Sequence, residues 1–208
     1  MIEKKIQEIK QEIGTKELII VSKKRSNEDI MRAYKVGHRD FGENRVQELI
    51  KKQQDLPKDI RWHMIGHLQK NKVKYLIPFI YLIHSVDSLS LLEKINEISI
   101  KNQKQTNCLI QIKIAEEDTK FGFSEIMANQ LFNSNYENTF PYINIKGLMG
   151  MATATNNQAQ IEIEFQKLKY IYIKYPKLKT LCMGMSQDYK IAITNNSNMI
   201  RVGTYIFS

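Results

Sequence analysis

Leu18-Ile-Ile-Val-Ser-Lys23, followed by Ser26-Asn-Glu-Asp29 and Ile30-Met-Arg-Ala-Tyr34, is the stretch on which the fold turns. The unbroken run of branched apolar residues reads as a strand buried on both faces. A serine with acidic residues in the next turn then gives the start of a helix. The unit is strand, short loop, helix.

The same alternation recurs through the chain. Further strands are expected near Asp40–Glu43, Arg61–His67, Tyr81–Val86, Thr106–Ile114, Ile143–Met151, Thr180–Met185 and Met199–Phe207, eight in all with the first. Helical patterns lie between them, near Arg45–Gln54, Lys70–Phe79, Leu89–Lys101, Ser124–Ser134, Gln158–Tyr175 and Tyr189–Thr194. Parallel strands joined by helical crossovers give either a doubly wound sheet or a closed (β/α)8 barrel. Eight strands close without leaving an edge, so the sequence predicts a single TIM-type barrel over residues 1–208. Ile2, Ile6, Ile9 and Ile13 fall on one helical face and add a helix before the first strand.

Composition narrows the function classes. The chain has 208 residues, 42% hydrophobic and 25% charged, with only 9 Gly and 4 Pro, which excludes collagenous and low-complexity proteins. The formal charge of +9 invites a polyanion, yet the lysines are scattered and the basic runs Lys23–Arg25 and Lys70–Lys74 are short. No specific nucleic-acid partner is expected, only salt-sensitive attraction. Cys108 and Cys182 sit in apolar segments without a metal-binding spacing and read as buried free thiols. The amino-terminal stretch lacks the apolar centre of a signal peptide. The longest apolar run, Tyr75–Ile83, is broken by Pro78 and is too short to cross a bilayer. A cytoplasmic protein with no membrane partner is expected.

In such a barrel the functional residues stand where strands leave their apolar runs. The first strand ends in Ser22-Lys23, and a lysine partly desolvated there is a candidate for attack on a carbonyl and Schiff-base formation. After strand seven comes Met183-Gly-Met-Ser-Gln-Asp188, and Arg201-Val-Gly-Thr204 is assigned to strand eight. Ser186, Arg201, Gly203 and Thr204 are the residue types of a phosphate cradle, and barrels often bind phosphate at the last two loops. Closure sets strand eight beside strand one. An aldehyde-reactive lysine and a phosphate cradle would then share one mouth, as pyridoxal 5'-phosphate requires, while a phosphosugar aldolase would use similar parts.

Other motifs carry less. Gly184–Asp188 starts like a nucleophile elbow but lacks the closing glycine. His63 and His67 are four apart on a strand, not on the helix that a zinc-protease motif needs, so no metal site is expected. Gly147-Leu-Met-Gly150 has the spacing of an RNA-binding loop but lies in an apolar strand and reads as close packing. His38 and His84 have no readable role.

Eight blocks in order carry a family resemblance: Val21-Ser-Lys-Lys24, Asp40-Phe-Gly-Glu-Asn-Arg-Val-Gln-Glu48, Arg61-Trp-His-Met-Ile-Gly-His-Leu-Gln69 with Asn71-Lys72, His84-Ser-Val-Asp87, Lys120-Phe-Gly-Phe123, Gly147-Leu-Met-Gly-Met151, Met183-Gly-Met-Ser186 and Arg201-Val-Gly-Thr204. Together they resemble the pyridoxal phosphate homeostasis protein family. The resemblance implies a barrel like the amino-terminal domain of alanine racemase, with pyridoxal phosphate held as an internal aldimine on the lysine matching Lys23. It implies that Ser186, Arg201, Gly203 and Thr204 bind at the phosphate end and that Asn44 and His67 lie around the cofactor. It implies a protein that buffers or delivers the cofactor to dependent acceptor enzymes and maintains vitamin B6 and amino-acid pools, with no catalytic residues; a monomer is expected. Lys24 stands where the family usually has Thr, Gln187 where it often has Gly, and Lys190 near a usually acidic position. The competing reading is a cofactor-dependent racemase acting on small amino acids. Its second acid–base tyrosine would come from a further domain that 208 residues do not accommodate, unless Tyr189 turned inward.

Overall fold

The computed structural model describes residues 2–117 and 121–208. Eight parallel strands close into a barrel in sequence order: β1 (Glu17–Val21), β2 (Asp40–Glu43), β3 (Arg61–Met64), β4 (Leu82–Val86), β5 (Thr106–Ile112), β6 (Ile143–Gly150), β7 (Thr180–Cys182) and β8 (Met199–Val202). The closing seam pairs Glu17 with Met199 and runs to Ile20 with Val202, so the first and last strands are neighbours as the strand count requires.

Helices α1 (Ile2–Ile13), α2 (Asn27–Lys35), α3 (Val46–Asp55), α4 (Val73–Leu76), α5 (Leu89–Lys101), α6 (Glu125–Asn133), α7 (Tyr136–Thr139), α8 (Gln158–Ile173), α9 (Tyr189–Thr194) and α10 (Thr204–Phe207) surround it. α2 begins where the sequence says: the Ser26 hydroxyl accepts from the Asp29 amide at 3.1 Å. α1 buries all four of its periodic isoleucines. Its Glu3 takes both nitrogens of a fork from Arg32 of α2, at 3.0 and 3.1 Å.

Alternation along the strands divides the core. Ile19, Leu82, Leu109, Met149, Cys182 and Met199 form the filling of the barrel. Residues of the opposite parity, among them Ile20, Phe41, Ile83, Ile110, Leu148 and Ile200, pack outward against the helices. Both faces being covered explains why the strands read as continuous apolar runs. Gly147 does serve close packing: a Cβ there would stand 1.8 Å from the Thr180 carbonyl oxygen of β7. Both cysteines are buried free thiols. Among the described residues no helix is long and apolar enough to cross a membrane.

Several predicted strands are shorter than the apolar runs that suggested them. β3 stops at Met64, β7 at Cys182 and β8 at Val202. The largest difference is at the end of the chain, where Gly203 leaves the strand and Thr204–Phe207 is a helical turn. Gly203 and Thr204 therefore belong to the loop after β8, not to the strand itself. The apolar residues Ile206 and Phe207 misled the strand assignment, because Ile206 is buried from a helix.

Candidate functional site

The carboxyl ends of the strands bring together β1, β7 and β8. Arg201 lies on the inward parity of β8, beside Ile19 of β1, and is 3% exposed. Among the described residues its Nε and Nη2 are buried without a hydrogen-bond partner. Buried guanidinium donors left unpaired are costly, so this position calls for an acceptor.

Above it, the β7–α9 loop folds back on itself. Gly184 takes φ +100°, in the region where glycine is favoured, and the backbone presses on α9: a Cβ there would meet that of Ala192 at 2.6 Å. Asp188 closes the turn by accepting from the Met185 amide at 2.6 Å. Burial pushes the Asp188 carboxyl up, opposed by that amide. Ser186 rides on this turn, half-buried. Its hydroxyl oxygen accepts from the amides of Gly203 at 3.2 Å and Tyr205 at 3.5 Å, which ties the β7–α9 loop to the start of α10. Gly203 in turn lies against β1, where a Cβ would meet the Val21 carbonyl oxygen at 2.9 Å. Thr204 follows, exposed.

Lys23 stands just past β1, on the parity of Ile19 and Val21. It is exposed rather than desolvated, because β1 ends at Val21, two residues short of the expected Lys23, and the chain turns out of the barrel there. The Ser22 carbonyl accepts from the Arg25 amide at 3.0 Å, and Lys24 adopts φ +60°. The two adjacent lysines are thus distinguished by a turn, not by strand alternation.

The remaining site residues occupy the next sector of the rim. Asn44 follows the end of β2, half-buried, and its backbone is approached so closely by Gly66 that a Cβ there would stand 2.3 Å from the Asn44 carbonyl oxygen. His67 follows Gly66, bonds through Nδ1 to Asp87 at 2.8 Å and stacks on Phe121 with ring centroids 4.6 Å apart. Lys120, quoted in the sequence block before Phe121, lies outside the described residues. Sequence reasoning passed over Gly66, Gly184, Asp87 and Asp188. The two glycines had a signal, Gly66 standing immediately before His67 and Gly184 two residues before Ser186.

Beneath the mouth, polar groups on the inward parity form a chain. Arg61 grips Asp40 with Nε at 2.6 Å and Nη2 at 2.5 Å. Asp40 accepts from His63 Nε2 at 3.2 Å; His63 Nδ1 meets His84 Nε2 at 2.9 Å; and His84 Nδ1 lies 3.6 Å from the Cys182 sulfur. A carboxylate only accepts, so His63 donates Nε2–H to Asp40; with one proton on each ring, the donors then run in one direction, from the Cys182 thiol through His84 and His63 to Asp40. Burial raises the Asp40 carboxyl, but the bonds from His63 and Arg61 outweigh it and hold the group well below the usual carboxylate range. Burial, then the nearby His63 and Arg201, keep His84 well below the usual imidazole value. His84, which has no readable role in the sequence, is a link in this chain.

Comparison with known proteins agrees with the geometry. The family described as "Alanine racemase, N-terminal domain" matches residues 1–208. The chain is 35% identical over 196 residues to the pyridoxal phosphate homeostasis protein of Aquifex aeolicus, covering 91% of this chain and 85% of that protein. It is 33% identical over 218 residues to the one of Pasteurella multocida, covering 99% and 91%. Among solved structures it is similar to PipY of Synechococcus elongatus PCC7942 without PLP (TM-score 0.91, 31% identity, all of both chains) and with PLP bound (TM-score 0.89, 30% identity, all of both chains). An alanine racemase of Clostridium difficile shares the fold at 16% identity and TM-score 0.81, with 99% of this chain covering 56% of that one.

Proposed function

This chain belongs to the alanine racemase N-terminal domain family and, within it, to the pyridoxal phosphate homeostasis proteins, and from that premise we propose that it binds pyridoxal 5'-phosphate at the barrel mouth, buffers it and delivers it to dependent acceptor enzymes. The observation that carries the reading is Arg201, a buried cation with two unpaired donors on the inward face of β8. Such a group fits an anionic, acceptor-rich ligand and little else.

The residues present match the cofactor part by part. The Ser186 hydroxyl, whose oxygen accepts from the amides of Gly203 and Tyr205, has its own proton to offer a phosphate oxygen, with Thr204 beside it. The glycine at 203 keeps that cradle against β1, whose end carries Lys23. Lys23 supplies the amine through which the aldehyde is held as a Schiff base, and exposure leaves it open to displacement by an incoming amine. His67, oriented by Asp87 and stacked on Phe121, flanks the mouth with Asn44. When bound, the cofactor supplies a reactive aldehyde and an electron-accepting ring; this chain supplies capture and release.

The racemase reading loses its candidate acid–base group. Tyr189 does not face the mouth: its hydroxyl donates to Glu12 of α1 at 2.7 Å, on the outside of the barrel. The relatives carry the name of homeostasis proteins and not of enzymes.

The test is peptide mass spectrometry after incubation with pyridoxal phosphate and borohydride reduction, on the native protein and the Lys23→Ala and Lys24→Ala variants. One adduct on Lys23, lost only in Lys23→Ala, is the expected result. Adducts spread over surface lysines, or full labelling of Lys23→Ala, would remove this function.

A further inference from the structure

Behind Lys23 lies a buried ionic cluster that the cofactor site does not itself use. Glu43, the last residue of β2, is fully buried, and Lys52, in the second half of α3, is 8% exposed. Lys52 Nζ donates to Glu43 Oε1 at 2.7 Å and to the Ser22 carbonyl oxygen at 2.9 Å. The Ser22 hydroxyl donates to the same Glu43 oxygen at 2.6 Å. Ser22 is therefore held at its carbonyl by Lys52, at its side chain by Glu43, and at its amide by the Gly42 carbonyl at 3.0 Å.

Ser22 is the residue before Lys23, and its carbonyl does a second job. That oxygen also accepts from the Arg25 amide, closing a four-residue turn in which Lys23 and Lys24 are the central pair. Lys24 sits at φ +60° in the position where a type II turn favours glycine. A non-glycine residue stays in that region only where its surroundings over-determine the backbone. The cluster supplies that over-determination from three segments at once: the ends of β1 and β2, and α3.

We propose that the Glu43–Lys52 pair is a positioning device for Lys23, clamping the Ser22 carbonyl so that the strained turn presents the lysine amine to the mouth in one geometry. The inference rests on the reading of Lys23 as the cofactor-binding amine. The step it governs is condensation: the Nζ lone pair attacks the aldehyde carbon, a C=N bond forms, and the carbonyl oxygen leaves as water with two protons from the amine, without change of oxidation state. A buried pair that merely anchored α3 would not need its cation on the carbonyl that closes this turn.

The test separates presentation of the amine from formation of the pocket. Lys52→Met alone strands a buried carboxylate and threatens the fold, so the double variant Glu43→Gln with Lys52→Met, which leaves no buried charge, is the main probe, with Lys52→Arg as the conservative one. Two quantities are read: the rate of reducible adduct formation with pyridoxal phosphate, and the affinity for pyridoxine 5'-phosphate, which keeps the phosphate and ring but has no aldehyde. The double variant is expected to form the adduct ~10- to 100-fold more slowly, as small misplacements of a reacting group do, while pyridoxine phosphate affinity stays within about 2-fold of the native value and Lys52→Arg recovers most of the rate. An unchanged rate in the double variant, or an equal loss of both quantities, overturns the proposal. Lys23→Ala is run alongside: if it still forms the adduct, the fault lies with the assignment of Lys23 and not with the clamp.

Discussion

On the floor of the barrel Cys182, His84, His63 and Asp40 hand hydrogen bonds along in one direction and end on the fork of Arg61. At the mouth Arg201 is as deeply buried, yet two of its nitrogens have no partner among the described residues, and Lys23 stands exposed beside a glycine-lined cradle. Both regions place polar groups inside a barrel whose filling is otherwise apolar. A satisfied network rigidifies and specifies; an unsatisfied cation is tolerated where a ligand completes it. Satisfaction, more than residue type, separates the floor from the mouth here, since histidine, carboxylate and arginine occur in both.

Acidification acts on the floor and gives the largest expected effect. Burial holds His38 down to about 4, although its Nε2 lies 2.8 Å from the Asp40 carbonyl, and holds His84 well below its usual value. Between pH ~6.5 and those depressed values the unfolded chain binds protons that the native one refuses. Stability is therefore complete above pH ~6.5 and falls as pH drops, by about 1.4 kcal/mol per pH unit for each histidine. Asp40, depressed in the folded state, adds a loss only below pH ~4, where the unfolded carboxylate begins to protonate. Urea unfolding at pH 7 and pH 5 should give stabilities that differ by about 2 kcal/mol from His38 alone, with His84 adding in the same direction. Equal midpoints would mean that the floor is not the closed, neutral network described.

A matched pair of substitutions sharpens the contrast. Arg201→Met removes the unpaired donors and should weaken pyridoxine phosphate binding ~100-fold, near the worth of a charged hydrogen bond or two, while the melting temperature of the free protein holds or rises. His63→Leu on the floor should do the reverse. It takes one hydrogen bond from Asp40, which keeps Arg61, leaves His84 Nε2 without its partner, and costs about 2–3 kcal/mol of stability, with ligand affinity unchanged within about 2-fold. Calorimetric melting and ligand titration on the two variants would break the comparison if both lost affinity alike.

The division was partly legible in the sequence. The eight strands and their closure followed from apolar runs that must be covered on both faces, and Lys23, Asn44, His67, Ser186, Arg201, Gly203 and Thr204 all stand at or just past carboxyl ends of strands. What the sequence obscured was where each run leaves its strand. Ile206 and Phe207 are apolar in a helical turn as readily as in a strand, so Gly203 and Thr204 were placed one element too early. Lys23 looked desolvated because nothing in Val21-Ser-Lys-Lys24 announces a turn with a lysine at positive φ, and the contacts that Ser22 makes with Lys52 and Glu43 come from 30 and 21 residues further along the chain. The floor was illegible for the same reason. His63 and His84 lie 21 residues apart and meet only because β3 and β4 are neighbours.

Tyr189 marks the outer limit of the comparison and gives the smallest effect. It follows the Ser186 turn closely in sequence, but α9 rotates it away from the mouth, where it binds Glu12 and lies against the barrel's outer core. Burial, then the Glu12 carboxylate, push the phenol well above its usual value. A phenol so held neither faces a ligand at the mouth nor gives up its proton near neutral pH. Tyr189→Phe should therefore cost only about 1 kcal/mol of stability, the worth of one hydrogen bond, and leave the adduct yield on Lys23 as it was. A loss of adduct, or amino-acid turnover by the native protein that vanishes in Tyr189→Phe, would put the tyrosine at the mouth and return the racemase reading to consideration.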